Sequence, residues 1–186
     1  MLSTQLKLPL DVFLTRKLGY PGNPEYAVGA ITETGLTWFN SDASEMEKII
    51  GFKDFLDEEI ARQQREIERQ QILYRQGEKL RPLDGYTIML VDDGIATGST
   101  FVASIHSLRT FGINRLIGAI PLGPAETINR IRTLVDHLDV LYMPEPFVAV
   151  GAHYQHFPQV EDQQVLQFLR TAQQQFPVHT PRSFTG

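Results

Sequence analysis

The sequence predicts an α/β fold: an open, mainly parallel, Rossmann-like sheet flanked by helices, with a hairpin and a long helix inserted before its regular half. Three observations predict it. From residue 84 onward short apolar runs alternate with helical stretches as β-α-β-α-β, which implies parallel strands joined by right-handed crossovers. Gly and Asp mark the joints, as in Asp84-Gly85 and Gly112. The first run ends on two adjacent carboxylates, Asp92 and Asp93, at the strand end where open α/β sheets bind ligands.

The elements follow in chain order. Residues 10–14 read as a strand, followed by Thr15, Arg16 and Lys17 and by a Pro- and Gly-rich stretch over 19–30 that suits a mobile loop. Residues 31–39 read as a hairpin turning at Thr34-Gly35. From 44 to 76 Ile49, Phe52, Leu56, Ile60, Ile67 and Tyr74 recur at helical steps, giving one long helix or two broken near Gly51. Its other faces carry Glu58, Glu59, Arg62, Arg65, Glu66, Glu68 and Arg69, a pattern of solvated opposite-sign pairs. The sharper alternative is that Arg62, Arg65 or Arg69 faces an anionic substrate or a neighbouring subunit. Residues 88–91 form a short core strand, 101–111 a helix closed by Gly112, and 115–121 a second strand. Helix 123–137 and strand 140–143 continue the alternation, and 161–175 is a last helix with Val165, Leu166, Phe168 and Leu169 inward. The expected organisation is a single domain over 1–175, with 39–80 as the helical insertion and 176–186 as an irregular tail.

Composition bounds the function classes. Of 186 residues, 42% are hydrophobic and 21% charged, which is ordinary for a globular chain. No apolar run is long enough for a membrane helix, and the amino terminus lacks the pattern of an export signal. There are no cysteines, which excludes disulfides, a thiol nucleophile and thiolate metal sites. A cytoplasmic location is expected. The net charge of -5 argues against broad capture of nucleic acid.

The chemistry concentrates in residues 92–100. After Asp92 and Asp93, Gly94, Ala96 and Gly98 permit close backbone approach, and Thr97, Ser99 and Thr100 place hydroxyls beside the first amides of a helix starting near Ser99. Such an amide cup favours phosphate, and the carboxylate pair suits hydroxyls or a metal. The bland alternative is a strand end followed by a helix cap. The lysine of a Walker loop is missing. The segment resembles the phosphoribosyl pyrophosphate signature of type I phosphoribosyltransferases.

That resemblance implies an activity: transfer of the phosphoribosyl group of phosphoribosyl pyrophosphate to a nucleobase-type acceptor, with release of pyrophosphate. By it, Asp92 and Asp93 hold the ribose hydroxyls, and Ala96, Thr97, Gly98, Ser99 and Thr100 cradle the 5-phosphate. Arg16 and Lys17 inherit the cationic pair that opens the catalytic loop and approaches the pyrophosphate. Residues 144–160 resemble the base-binding segment, with Phe147 and Tyr154 as stackers and the amides around Val148 to Gly151 on the ring edge. In 6-oxopurine members an aspartate that serves the purine stands where Ala96 stands here, so the adenine-like, orotate-like and unassigned branches are favoured. His153 and His156 have no third ligand at a familiar spacing and are expected at the surface. Mg²⁺ would be held by substrate oxygens and water, with no direct protein ligand.

Family members normally carry, ahead of the Arg-Lys strand, a helix, a strand and a glycine-containing pyrophosphate loop. With about ten residues before Leu10, the sequence is expected to lack them, and unpaired apolar sheet edges would then favour a homo-oligomer. A non-catalytic sensor of phosphoribosyl pyrophosphate or a nucleotide is the rival reading. A receiver-like module ranks last.

Overall fold

The computed structural model describes residues 2–40 and 51–177. Ile49, the start of the long helix near 44 and residues 178–186 of the expected tail lie outside the described residues. The elements are α1 (Leu2–Leu6), β1 (Thr15–Tyr20), β2 (Asn23–Thr32), β3 (Thr37–Phe39), α2 (Phe52–Arg75), β4 (Thr87–Val91), α3 (Ser99–Arg109), β5 (Arg115–Leu122), α4 (Ala125–Arg132), β6 (His137–Tyr142), a short 3-10 turn (Val150–His153) and α5 (Asp162–Gln175).

The strands form two sheets rather than one. The predicted parallel sheet is present as β4-β5-β6, with β5 central and Met89 opposite Ile117. The amino-terminal strands make a separate antiparallel sheet, β1-β2-β3, with Arg16 opposite Ile31 and Lys17 opposite Ala30. The run 88–91, expected in the core, is an edge strand among the described residues, and Val91 is 45% exposed.

Helix α3 lies between the two sheets. Phe101, Val102, Ile105 and Leu108 pack with Leu116 and Ile120 of β5, Leu138 of β6, and Ile128 and Ile131 of α4. On the hairpin side small residues let the strands approach. Ser104 shares a 2.8 Å hydroxyl contact with Thr15, and Ser107 shares one of 2.7 Å with Thr34. The opposite side of the hairpin packs on α2, where Leu18, Val28 and Ile31 meet Phe52 and Ile67.

Several sequence expectations are corrected. Residues 10–14 are not a strand, because side chains satisfy their amides: the Leu14 amide donates to Glu33 at 2.8 Å and the Val12 amide to Asp11 at 2.9 Å. The strand begins at Thr15, so Arg16 and Lys17 lie within it. The expected mobile loop over 19–30 is the tip and second strand of a hairpin. Its run from Ala27 to Thr32 is buried, which removes the polar alternation that marks half-exposed strands. The turn at Thr34-Gly35 is present between β2 and β3.

Helix 123–137 is shorter than predicted because α4 ends at Arg132 and Asp136 turns back to accept the Leu116 amide at 2.7 Å. That turn starts β6 at His137, three residues earlier than read. In α5 Leu169 is buried, but Phe168 points outward and is 41% exposed. The polar face of α2 is not uniformly solvated either, since Glu59 and Gln63 are buried.

A buried ion pair fastens α2 to the β2–β3 turn. The Arg75 guanidinium donates to Glu33, whose side chain is 2% exposed, while Glu33 also accepts the Leu14 amide. Removing one partner strands the other charge in a dry site. Arg75→Met is therefore expected to cost about 3 kcal/mol of unfolding free energy in urea titration, more than a surface arginine change would.

Candidate functional site

The turn after β4 is set by β5. The Asp92 amide donates to the Ala119 carbonyl at 3.3 Å and the Ile95 amide to the Leu122 carbonyl at 3.0 Å, so Asp93 and Gly94 arch outward between two fixed points. Ile95 is the plug beneath: it is buried, and a Cβ on Gly123 would lie 2.5 Å from its Cγ1. The arch is tight on its other side too, because a Cβ on Gly94 would lie 2.6 Å from Val150 Cγ1.

From there the chain enters α3 through Gly98, which has φ 73° and whose missing Cβ would lie 2.8 Å from Thr127 Cγ2. Both the backbone conformation and the close approach require glycine. No side chain caps the helix, and the first helical bond is Val102 amide to Gly98 carbonyl at 2.9 Å. The Ser99 amide donates to the Thr97 hydroxyl at 3.4 Å, and the amides that follow it in the first turn lie at the positive end of the helix dipole, where an anion is favoured. Thr97 and Ser99 hydroxyls stand 3.1 Å apart beside them.

The structure brings Asp92, Asp93, Ala96, Thr97, Gly98, Ser99 and Thr100 together in one turn between β4 and α3. Tyr154 joins them, its hydroxyl donating to the Asp93 carbonyl. Burial raises the Tyr154 pKa, and the charges of Asp93 and Asp92 raise it further, so the hydroxyl remains a donor. Phe147 lies in the adjoining segment but stacks on His153, with ring centroids 5.7 Å apart. Val148 is 76% exposed. His153 is not the surface residue expected: Tyr142 also meets its ring edge-on at 6.2 Å, and its Nε2 is buried without a partner in the structure. His156 is exposed.

Arg16 and Lys17 do not share a direction. On β1 Thr15 faces Ser104 of α3, whereas Arg16 faces α2 and donates from Nε to Gln63 at 3.0 Å. Strand alternation puts Lys17 on the face of Thr15. The hairpin therefore sends one cation to each side.

Sequence reading missed the residues that clamp the cup. From α4, Thr127 donates to the Ala96 carbonyl at 2.9 Å and Arg130 donates to the Thr97 carbonyl. The same guanidinium lies over the Trp38 ring, 5.8 Å from its centroid, and so ties the hairpin to the cup. Their spacing, one helical turn apart, was the only signal; it marks a shared face without naming the partner.

Asp92 is the electrostatically distinctive group. Burial raises its pKa to about 6, with the Asp93 charge adding to the rise, although the Asp93 amide donates to its carboxylate at 2.8 Å. A site that disfavours two unneutralised carboxylates gains from a ligand that donates hydroxyls or brings positive charge.

No family model matches the chain. Two proteins from Mycobacterium tuberculosis do: "Putative phosphoribosyl transferase MT0597" of strain CDC 1551 / Oshkosh and "Putative phosphoribosyl transferase Rv0571c" of strain ATCC 25618 / H37Rv. Each is 36% identical over 171 residues, covering 92% of this chain and 38% of its own length. The chain thus spans under two fifths of these relatives. The crystal structure of TT1426 from Thermus thermophilus is similar, with a TM-score of 0.69 and 33% identity over 90% of this chain and 78% of that one. This is an α/β chain with a candidate site at the carboxyl end of β4, and its relatives support the phosphoribosyltransferase family for the matched segment. No described helix is long and apolar enough to cross a membrane.

The raised Asp92 pKa has a stability consequence. The fold favours the protonated acid, so the stabilisation is complete below the ordinary value of 3.8 and is lost as pH rises through about 6. In thermal unfolding without ligand, the Asp92 contribution should decline across that window, and Asp92→Asn should flatten it.

Proposed function

We propose that the chain is a phosphoribosyltransferase domain, transferring the phosphoribosyl group of phosphoribosyl pyrophosphate to a nucleobase-type acceptor with release of pyrophosphate. The observation that carries this is the cup itself: a carboxylate pair at a strand end running directly into an uncapped helix amino terminus through Gly98. Ribose hydroxyls donate to Asp92 and Asp93, and the 5-phosphate accepts from the amides and hydroxyls of 97–100. The homology of the matched segment supports the same reading.

In the transfer an acceptor nitrogen bonds to the anomeric carbon as the carbon–oxygen bond to pyrophosphate breaks, the pyrophosphate leaving with the electron pair. The residues here bind and orient: the cup fixes sugar and phosphate at its two ends, and Tyr154 closes the base side over Asp93. A magnesium ion carried on the pyrophosphate oxygens and water would neutralise the leaving group. The exposed Asp93 carboxylate beside a raised-pKa Asp92 fits that chemistry, since added positive charge relieves their repulsion. Lys17, on the α3 side of β1, is the cation of the pair that is positioned for the cup side of the hairpin. A cytoplasmic setting and self-association belong to the same proposal.

Calorimetric titration with phosphoribosyl pyrophosphate, with and without Mg²⁺, followed by a pyrophosphate-release screen over the common bases, tests it. Binding with base-dependent release is expected. Binding without release would leave a sensor, and no binding would leave the cup as scaffold. Asp93→Asn should weaken binding by about tenfold or more while leaving the melting temperature near that of the parent. Arg130→Met should reduce affinity for ribose 5-phosphate by about tenfold, because the Thr97 carbonyl it holds would be free to turn the cup.

A further inference from the structure

Phe157 is a large apolar side chain outside any core. Residues 155–161 are all exposed, and Phe157 itself is 46% exposed. Its ring nevertheless turns back onto the 3-10 turn that precedes it. A Cβ on Gly151 would lie 2.9 Å from Phe157 Cδ1, so the ring occupies the space that this glycine leaves. On the same turn of chain the Tyr154 ring stands 5.0 Å from it, centroid to centroid, with the planes tilted by 32°.

Tyr154 carries that contact to the site. Its hydroxyl donates to the Asp93 carbonyl, at the crest of the arch whose feet are the Asp92 amide on the Ala119 carbonyl and the Ile95 amide on the Leu122 carbonyl. The other aromatic expected on this segment is engaged elsewhere: Phe147 stacks on His153, and Tyr142 meets the same imidazole edge-on. Tyr154 thus takes its aromatic support from Phe157. A half-exposed phenol held only at its tip competes with water for its acceptor and keeps its side-chain torsions free. A ring packed against its side removes that freedom, and an aromatic pair is stabilising beyond the area it buries.

We infer that Phe157 is a positioning residue of the site: it braces Tyr154 and, through the Tyr154 hydroxyl, holds the crest of the arch that presents Asp92 and Asp93. The brace itself is independent of the ligand, whereas its consequence for affinity rests on the phosphoribosyl reading above. Phe157 touches no substrate in this role; it acts through Tyr154 alone. Gly151 belongs to the same device, because any side chain there would push the Phe157 ring away.

The test is amide hydrogen exchange, followed by NMR on the full chain without ligand, with calorimetric titration of phosphoribosyl pyrophosphate alongside. In Phe157→Ala the Asp92 and Ile95 amides should exchange about tenfold faster, while the Leu116 amide of β5 keeps its rate. Gly151→Ala, which displaces the ring without deleting it, should act in the same direction, and Phe157→Tyr, which keeps the ring, should retain the parent rates. Tyr154→Phe should speed the same two amides and leave Phe157→Ala nothing further to add. Phosphoribosyl pyrophosphate affinity should fall about tenfold in Phe157→Ala and stay near the parent value in Phe157→Tyr. Unchanged exchange at Asp92 and Ile95, a uniform rise that includes Leu116, additive effects of the Phe157 and Tyr154 changes, or faster exchange with unaltered affinity would overturn the role. The expected exchange pattern in a chain that does not bind phosphoribosyl pyrophosphate would uphold the brace while removing the proposed ligand.

Discussion

Everything near the cup depends on burying α3 on both sides. A helix in this position must be apolar toward the parallel sheet and small toward the hairpin, and Ser99–Arg109 meets both demands with Phe101, Ile105 and Leu108 on one side and Ser104 and Ser107 on the other. Serine hydroxyls bonded to Thr15 and Thr34 keep the second interface close without leaving polar atoms unsatisfied. A helix so enclosed cannot slide along its axis without breaking both interfaces. Its amino terminus, and with it the positive end of the dipole, is consequently fixed relative to the end of β4.

The cup then balances opposed charges within a few residues. Amides of the first turn attract an anion, while Asp92 and Asp93 repel one, and Asp92 is itself raised toward neutrality by burial and by its neighbour's charge. These effects agree only for a ligand that is anionic at one end and hydroxyl-bearing at the other. Tyr154 and Val150, from the segment after β6, press on the arch between the two ends, and α4 holds the opposite rim through Thr127 and Arg130.

The parallel half of the fold was legible because each of its strands and helices carries its own period and its own stop. The amino-terminal half was not, for definite reasons. Residues 10–14 have the composition of a strand, but Glu33 and Asp11 take their amides, which no local pattern announces. The stretch 19–30 has the Pro and Gly content of a loop, yet burial of Ala27 to Thr32 makes it a strand. The cup residues were legible because carboxylates, glycines and hydroxyls coincide in one turn. Arg130 was hidden because its role rests on tertiary contacts with Thr97 and Trp38, from two other parts of the chain. Arg16 and Lys17 were found as a pair, but the alternation of a strand, not visible while they were placed just past the end of one, separates them.

Trp38 is the single tryptophan of the sequence. Because the Arg130 guanidinium that covers its ring also holds the Thr97 carbonyl, any rearrangement of the cup that moves Arg130 changes the electric field at the indole. The molecule thus carries an intrinsic fluorophore wired to its own candidate site, with no second tryptophan to obscure the emission.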